Sequence, residues 1–174
     1  VQKRLKAIMA EMSGCDLSAV PTGYDGCGIP VFGVPLKGMA RAMAQFADPS
    51  KLGAARQAAV RRIVTSVAAH PLLIGGTGRF NSVLLAETGT RCLLKSGAEG
   101  VFAGAATEQG LGICLKVDDG NGRAAQVAIG AILRHLGVLD AAAQARLADS
   151  LTTPVRNWAG RLVGAVRPAP DLAF

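Results

Sequence analysis

The run Tyr24-Asp25-Gly26-Cys27-Gly28-Ile29-Pro30 holds the residues best suited to chemistry. A thiol between two glycines is poor core material, and glycines let the backbone come close to a ligand or metal. Cys27 and Asp25 would offer a soft and a hard ligand side by side. A plain turn whose cysteine fills a small gap explains the same spacing, and the residues alone leave both readings open. Lys95-Ser96-Gly97 closes an apolar run. A lysine there can face a cleft, where desolvation or a neighbour tunes it for proton transfer. An edge-strand lysine that guards against aggregation is the commoner source of such a pattern. Gly76-Thr77-Gly78-Arg79 is short for a phosphate loop and lacks a following Lys-Ser/Thr. It reads as a turn whose Arg79 is free to bind a carboxylate. Asp118-Asp119-Gly120-Asn121-Gly122 lacks the alternating ligands and late glutamate of a calcium loop and reads as a polar turn. His70 and His135 fit helix ends. No Ser-His-Asp order with a nucleophile elbow is present.

These residues need elements to hold them. A helical pattern begins at Val1, with Leu5, Ile8, Met9 and Met12 on one face. No capping residue precedes it, as expected of a chain cut from a longer one. Residues 21–35 contain three prolines and four glycines, which exclude a regular helix or a central strand. Their apolar second half predicts a loop packed against the body. Helices are expected over 36–47 and 51–69, and a shorter one through Val83, Leu84 and Leu85. The runs 91–95, 100–106 and 111–117, with short polar gaps, predict an antiparallel meander. In the third run Gly112, Cys114 and Lys116 share a face, and the small ones among them would let another element approach closely. Asn121 is expected to cap a heavily buried helix to about Leu136, and Asp140 one to about Leu151. An edge strand is expected over 162–166. Helices, a meander and more helices predict an α+β fold, an antiparallel sheet covered by helices.

Half of the residues are apolar and 18% are charged, which excludes a disordered chain. The net charge of +7 raises nucleic acid or an acidic membrane as partners. The basic residues are scattered and not interleaved with aromatics, so no nucleic acid is expected. No uncharged apolar run reaches membrane-spanning length, so no membrane partner is expected. The four cysteines form no CxxC pair, which argues against a zinc ribbon, and reduced thiols fit the cytoplasm.

Four segments in order resemble one family. Tyr24–Phe32 is similar to its Asp-Gly-Cys-x-x-Pro loop. His70-Pro71 with Gly76–Asn81 is similar to its His-Pro…Gly-x-Gly-Arg segment. Lys95–Val101 is similar to its Lys-x-Gly-Ala-Glu-Gly segment, and Leu115–Asn121 to its Lys-x-x-Asp-Gly turn. The family is the bacterial Rhizobium-type L-asparaginases, or asparaginase II. The resemblance implies hydrolysis of L-asparagine to L-aspartate and ammonia, and a fold similar to serine β-lactamases. It also implies a nucleophilic serine in Ser-x-x-Lys, a second serine, and a zinc held by two cysteines and a lysine. Lys95-Ser96-Gly97 would then be similar to the β-lactamase Lys-Thr-Gly strand. On that basis Lys95 and Asp25 are the expected catalytic residues, Gly97 and Arg79 the expected substrate contacts, and Cys27 one zinc ligand. The sequence contains neither the Ser-x-x-Lys nor the Cys-Ser-Gly-Lys-His segment of the family, and Asn81 stands where the family more often has Asp. Residues 1–174 are therefore expected to be one unit, the C-terminal half of the enzyme, inactive and metal-free alone. A small amide substrate and a homo-oligomer are the expected partners. The rival reading is a non-catalytic small-molecule-binding or assembly domain.

Overall fold

Alternation along residues 92–116 builds the centre of the molecule. In the computed structural model, which describes residues 1–170, β3 (Cys92–Gly97), β4 (Val101–Ala106) and β5 (Leu111–Lys116) form a three-stranded antiparallel sheet in that order. The register sets Leu94 opposite Gly104 and Gly104 opposite Ile113, so Cys92, Leu94, Phe102 and Ile113 share one face. That face carries the main core. Leu84 and Leu85 of α5 (Phe80–Thr88) and Ala125, Ile129 and Leu133 of α6 (Gly122–His135) complete it. Phe80 meets Phe102 edge-on at 5.9 Å between ring centroids.

The other face takes α2 (Leu36–Ala47), which lies against β4 and β5. Gly112 makes this possible, since a Cβ there would collide with the Ala40 carbonyl and the Ala44 amide. The close approach expected on that face is what the structure shows. Two more helices, α1 (Gln2–Ser13) and α3 (Ala54–Ala69), pack beside α2. They enclose an apolar cavity of about 250 Å³ lined by Met9, Met12, Met39 and Met43, all four methionines of the chain. The short helix α4 (Pro71–Gly75) leads into α5. Helices on both faces of an antiparallel sheet make this an α+β fold. The span expected to form one unit ends in residues 171–174, which lie outside those described.

Local signals placed the caps. Asn121 Oδ1 accepts from the Arg123 and Ala124 amides at 3.0 and 3.2 Å, and Asp140 Oδ1 from Ala143 at 2.9 Å. Four expectations need correction. Residues 21–35 are a hairpin of β1 (Thr22–Tyr24) and β2 (Pro30–Phe32), and most of its residues are exposed rather than packed. The second helix begins at Ala54, because residues 49–52 turn, with the Leu52 amide donating to Pro49 O at 2.9 Å. The run 141–151 splits into α7 (Ala141–Arg146) and α8 (Ala148–Leu151) at Leu147, which turns into the core. Residues 162–166 form β7 (Leu162–Val166), which pairs with β6 (Thr153–Arg156) in a separate two-stranded sheet instead of extending the main one.

Candidate functional site

A small polar cavity of about 110 Å³ opens where the end of β3 meets the N-termini of α5 and α6. Arg79, Phe80, Asn81, Ser96, Gly97, Gly122 and Gln126 are among its lining residues, and no carboxylate is. The loop before α5 is drawn in tightly. Ser82 Oγ donates to the Gly76 carbonyl at 2.7 Å, and a Cβ on Gly75 would lie 2.6 Å from the Ser82 Oγ. This positions Arg79 at the rim and Asn81 beneath it. Asn81 is only 4% exposed, and its Nδ2 donates to Ser96 Oγ at 3.3 Å. No side chain caps the N-terminus of α5.

The two expected substrate contacts, Arg79 and Gly97, thus come together. The expected catalytic pair does not join them. Lys95 is exposed, and its amine donates to the Ser96 carbonyl at 2.7 Å. Strand alternation sends Lys95 to the face it shares with Ala103 and Cys114, opposite to Ser96 and the cavity. The amine expected at a cleft mouth therefore sits on the other side of the strand. Gly97 lines the cavity through its backbone, which no side chain screens.

Asp25 and Cys27 form the tip of the β1–β2 hairpin. The Gly28 amide donates to Asp25 O at 2.8 Å, and Gly28 takes the left-handed φ of 78° that glycine allows. Asp25 Oδ1 accepts from the Gly26 amide at 2.7 Å, which occupies part of its ligating capacity. Cys27 is exposed. Among the described residues no group of three or more His, Cys, Asp and Glu is gathered as a metal would need. A zinc site takes three or four protein ligands, so the described residues do not fit zinc by themselves.

Sequence reasoning missed Ser96 and Gln126 as cavity residues and noted Asn81 only as a departure from the family. The signal for Ser96 was present: a polar residue alternating with Cys92 and Leu94 points to the buried side. Gln126 carries no local signal, and only the packing of α6 against the strand end places it in the cavity wall.

A family model described as L-asparaginase II matches residues 1–168. The chain belongs to the L-asparaginase II family. No curated protein matches it. The match carries an asparaginase-type, amidohydrolase function in general terms and a small-molecule amide as the kind of substrate. In this asparaginase II chain the matched span includes both the polar cavity and the Cys27 hairpin. Among its described residues no helix is long and apolar enough to cross a membrane.

Proposed function

We propose that this chain is part of an amidohydrolase that converts L-asparagine to L-aspartate and ammonia. The observation that carries the reading is the family match over residues 1–168. In this reading Arg79 and Gly97 hold the substrate in the polar cavity. The same reading gives Lys95 a proton-transfer role, which requires its side chain to swing past the strand end from the face opposite the cavity, and has Asp25 orient the substrate. The nucleophile is a serine from a Ser-x-x-Lys segment outside residues 1–174, and hydrolysis runs through an acyl-enzyme. Cys27 contributes one zinc ligand, with the remaining ligands from outside this span. The working protein is a cytoplasmic homo-oligomer.

The test is ammonia release from L-asparagine, measured on residues 1–174 and on the protein that its own reading frame encodes. Turnover is expected from the encoded protein and only background from residues 1–174. In the encoded protein Lys95→Ala is expected to lower turnover by roughly a hundredfold or more, and Cys27→Ser to release zinc. A full-rate Lys95→Ala protein would remove Lys95 from the reaction. One observation favours the rival, a small-molecule-binding domain without catalysis: Lys95 lies across the strand from the cavity. That reading expects asparagine binding with no turnover in either protein.

A further inference from the structure

The apolar cavity between α1, α2 and α3 lies on the sheet face that α2 covers, away from the polar one. Helical spacing gives it its character. Met9 and Met12 reach it from α1, Met43 and Phe46 from α2, and Val60 and Ile63 from α3, each pair three or four residues apart. Ala42 and Ala59 stand in the same wall. With only a methyl group at these two positions, α2 and α3 face the space without filling it.

Polar cross-links hold the three helices at this spacing. Arg56 of α3 donates to Glu11 of α1, through Nη2 at 2.6 Å and Nε at 3.4 Å. Gln45 Nε2 of α2 donates to the Met12 carbonyl of α1. The helices cannot close on the void without shifting these contacts. Ser13 and Arg56 supply the polar side chains of the lining, and both are engaged. Ser13 Oγ accepts from the Cys15 amide at 3.3 Å, and Arg56 is paired with Glu11. Water stays in such a space only with two to four polar partners, and this lining supplies no such set. Arg56 and Ala59 also line a shallow surface groove that reaches Glu11, which gives a ligand its way in.

We propose that this cavity is a binding site for a small uncharged aromatic molecule. An apolar cavity of about 150 Å³ stays dry and takes a benzene-sized ligand, so a volume of about 250 Å³ takes up to about ten carbon atoms. The walls suit a ring. Methionine sulfur makes favourable contacts with aromatic rings, and its flexible chain adapts to their shape. Phe46 offers an edge-to-face partner. A hydroxyl or carboxylate on the ligand would lose its water and find no free partner, because Arg56 is held by Glu11. The site lies across the sheet from the polar cavity and does not depend on the amidohydrolase reading. A ligand there touches α1, α2 and α3 at once, so its concentration sets the stability of that layer.

All four methionines line the site, so methyl-labelled methionine reports on it directly. Residues 1–174 and the encoded protein are each titrated with toluene, phenol and benzoate, which share one ring and differ in its substituent. Toluene is expected to shift the methionine methyl resonances saturably in both proteins. It should also slow amide exchange in α1 and α3 and leave α6 unchanged. Phenol and benzoate should bind at least roughly tenfold more weakly, the loss that one unpartnered polar group brings. Ala59→Leu from the α3 wall and Ala42→Leu from the α2 wall should each abolish the toluene response, read in whichever variant keeps the native protection of α6. No saturable shift at millimolar toluene, benzoate binding as tightly as toluene, or a full response in a folded cavity-filling variant would overturn the proposal. Methionine signals that move with chain concentration alone would overturn it too, by making this face a contact between two copies. So would toluene binding to residues 1–174 but not to the encoded protein, because another segment would then fill the space.

Discussion

Cys92 is 2% exposed on the core face of β3, and burial pushes its thiol up to about 12 from 9.0. Cys27 is exposed at a hairpin tip. The thiolate is the reactive form, and access decides which thiol a reagent meets. Alkylation of the folded chain at neutral pH should therefore label Cys27 first and leave Cys92 until the chain unfolds; peptide mapping over time checks the order. The same burial predicts a pH effect. Below about pH 9 both folded and unfolded chains keep the Cys92 proton. Between about 9 and 12 only the unfolded chain releases it, so stability falls as pH rises through that window. Cys92→Ala should flatten that part of the alkaline decline in denaturant melts. A decline as steep in Cys92→Ala as in the native chain would show that other groups cause it. At this scale Ser96, Lys95 and Arg79 were visible as polar residues, and strand alternation already set Lys95 and Ser96 on opposite faces. The missing fact was which face the helices would turn into a cavity, and that depends on contacts distant in sequence.

Elements were legible where their signals are local. Asn121 and Asp140 cap their helices because a short oxygen-bearing side chain meets amides two or three residues on. The meander followed from short apolar runs with tight gaps. The first hairpin misled because Ile29, Val31 and Phe32 suggested packing, whereas burial there depends on partners that the chain does not place over it. The contact of α2 with β5 is the element-scale feature most open to test. A Cβ at Gly112 meets backbone atoms of Ala40 and Ala44, which cannot swing aside as a side chain would. Gly112→Ala should therefore cost about 1–3 kcal/mol, the usual penalty of overpacking. Asn121→Ala should cost about 1 kcal/mol through the lost cap. Urea melts of the two variants check both values. A neutral Gly112→Ala would mean that the Ala40 and Ala44 backbone leaves room for a methyl group between α2 and β5.

The sheet divides the molecule into two unequal layers. On one side Leu84, Leu85, Leu94, Ile129 and Leu133 are fully buried around a continuous core. On the other, α1, α2 and the first half of α3 bury only Met12, Ser13, Gly38 and Val60 and surround an apolar cavity of about 250 Å³, while Val67 farther along α3 packs against the main core. Lining atoms with no neighbour on one side lose dispersion contacts, and flexible methionines fill such space without fixing it. Regions with few buried apolar contacts open at a lower free energy than the global transition. Native-state hydrogen exchange should therefore divide along the sheet. Amides of α1 and α3, and of the two hairpins, should exchange through sub-global opening. Amides of β3, β4 and α6 should exchange only with global unfolding, and they should share its denaturant dependence. Filling the cavity tests the cause. Ala59→Leu, on its wall, should slow exchange in α1 and α3 and leave α6 unchanged. Equal protection on both sides of the sheet, or Ala59→Leu speeding exchange in α1, would mean that the helical layer is as firmly packed as the core beneath it.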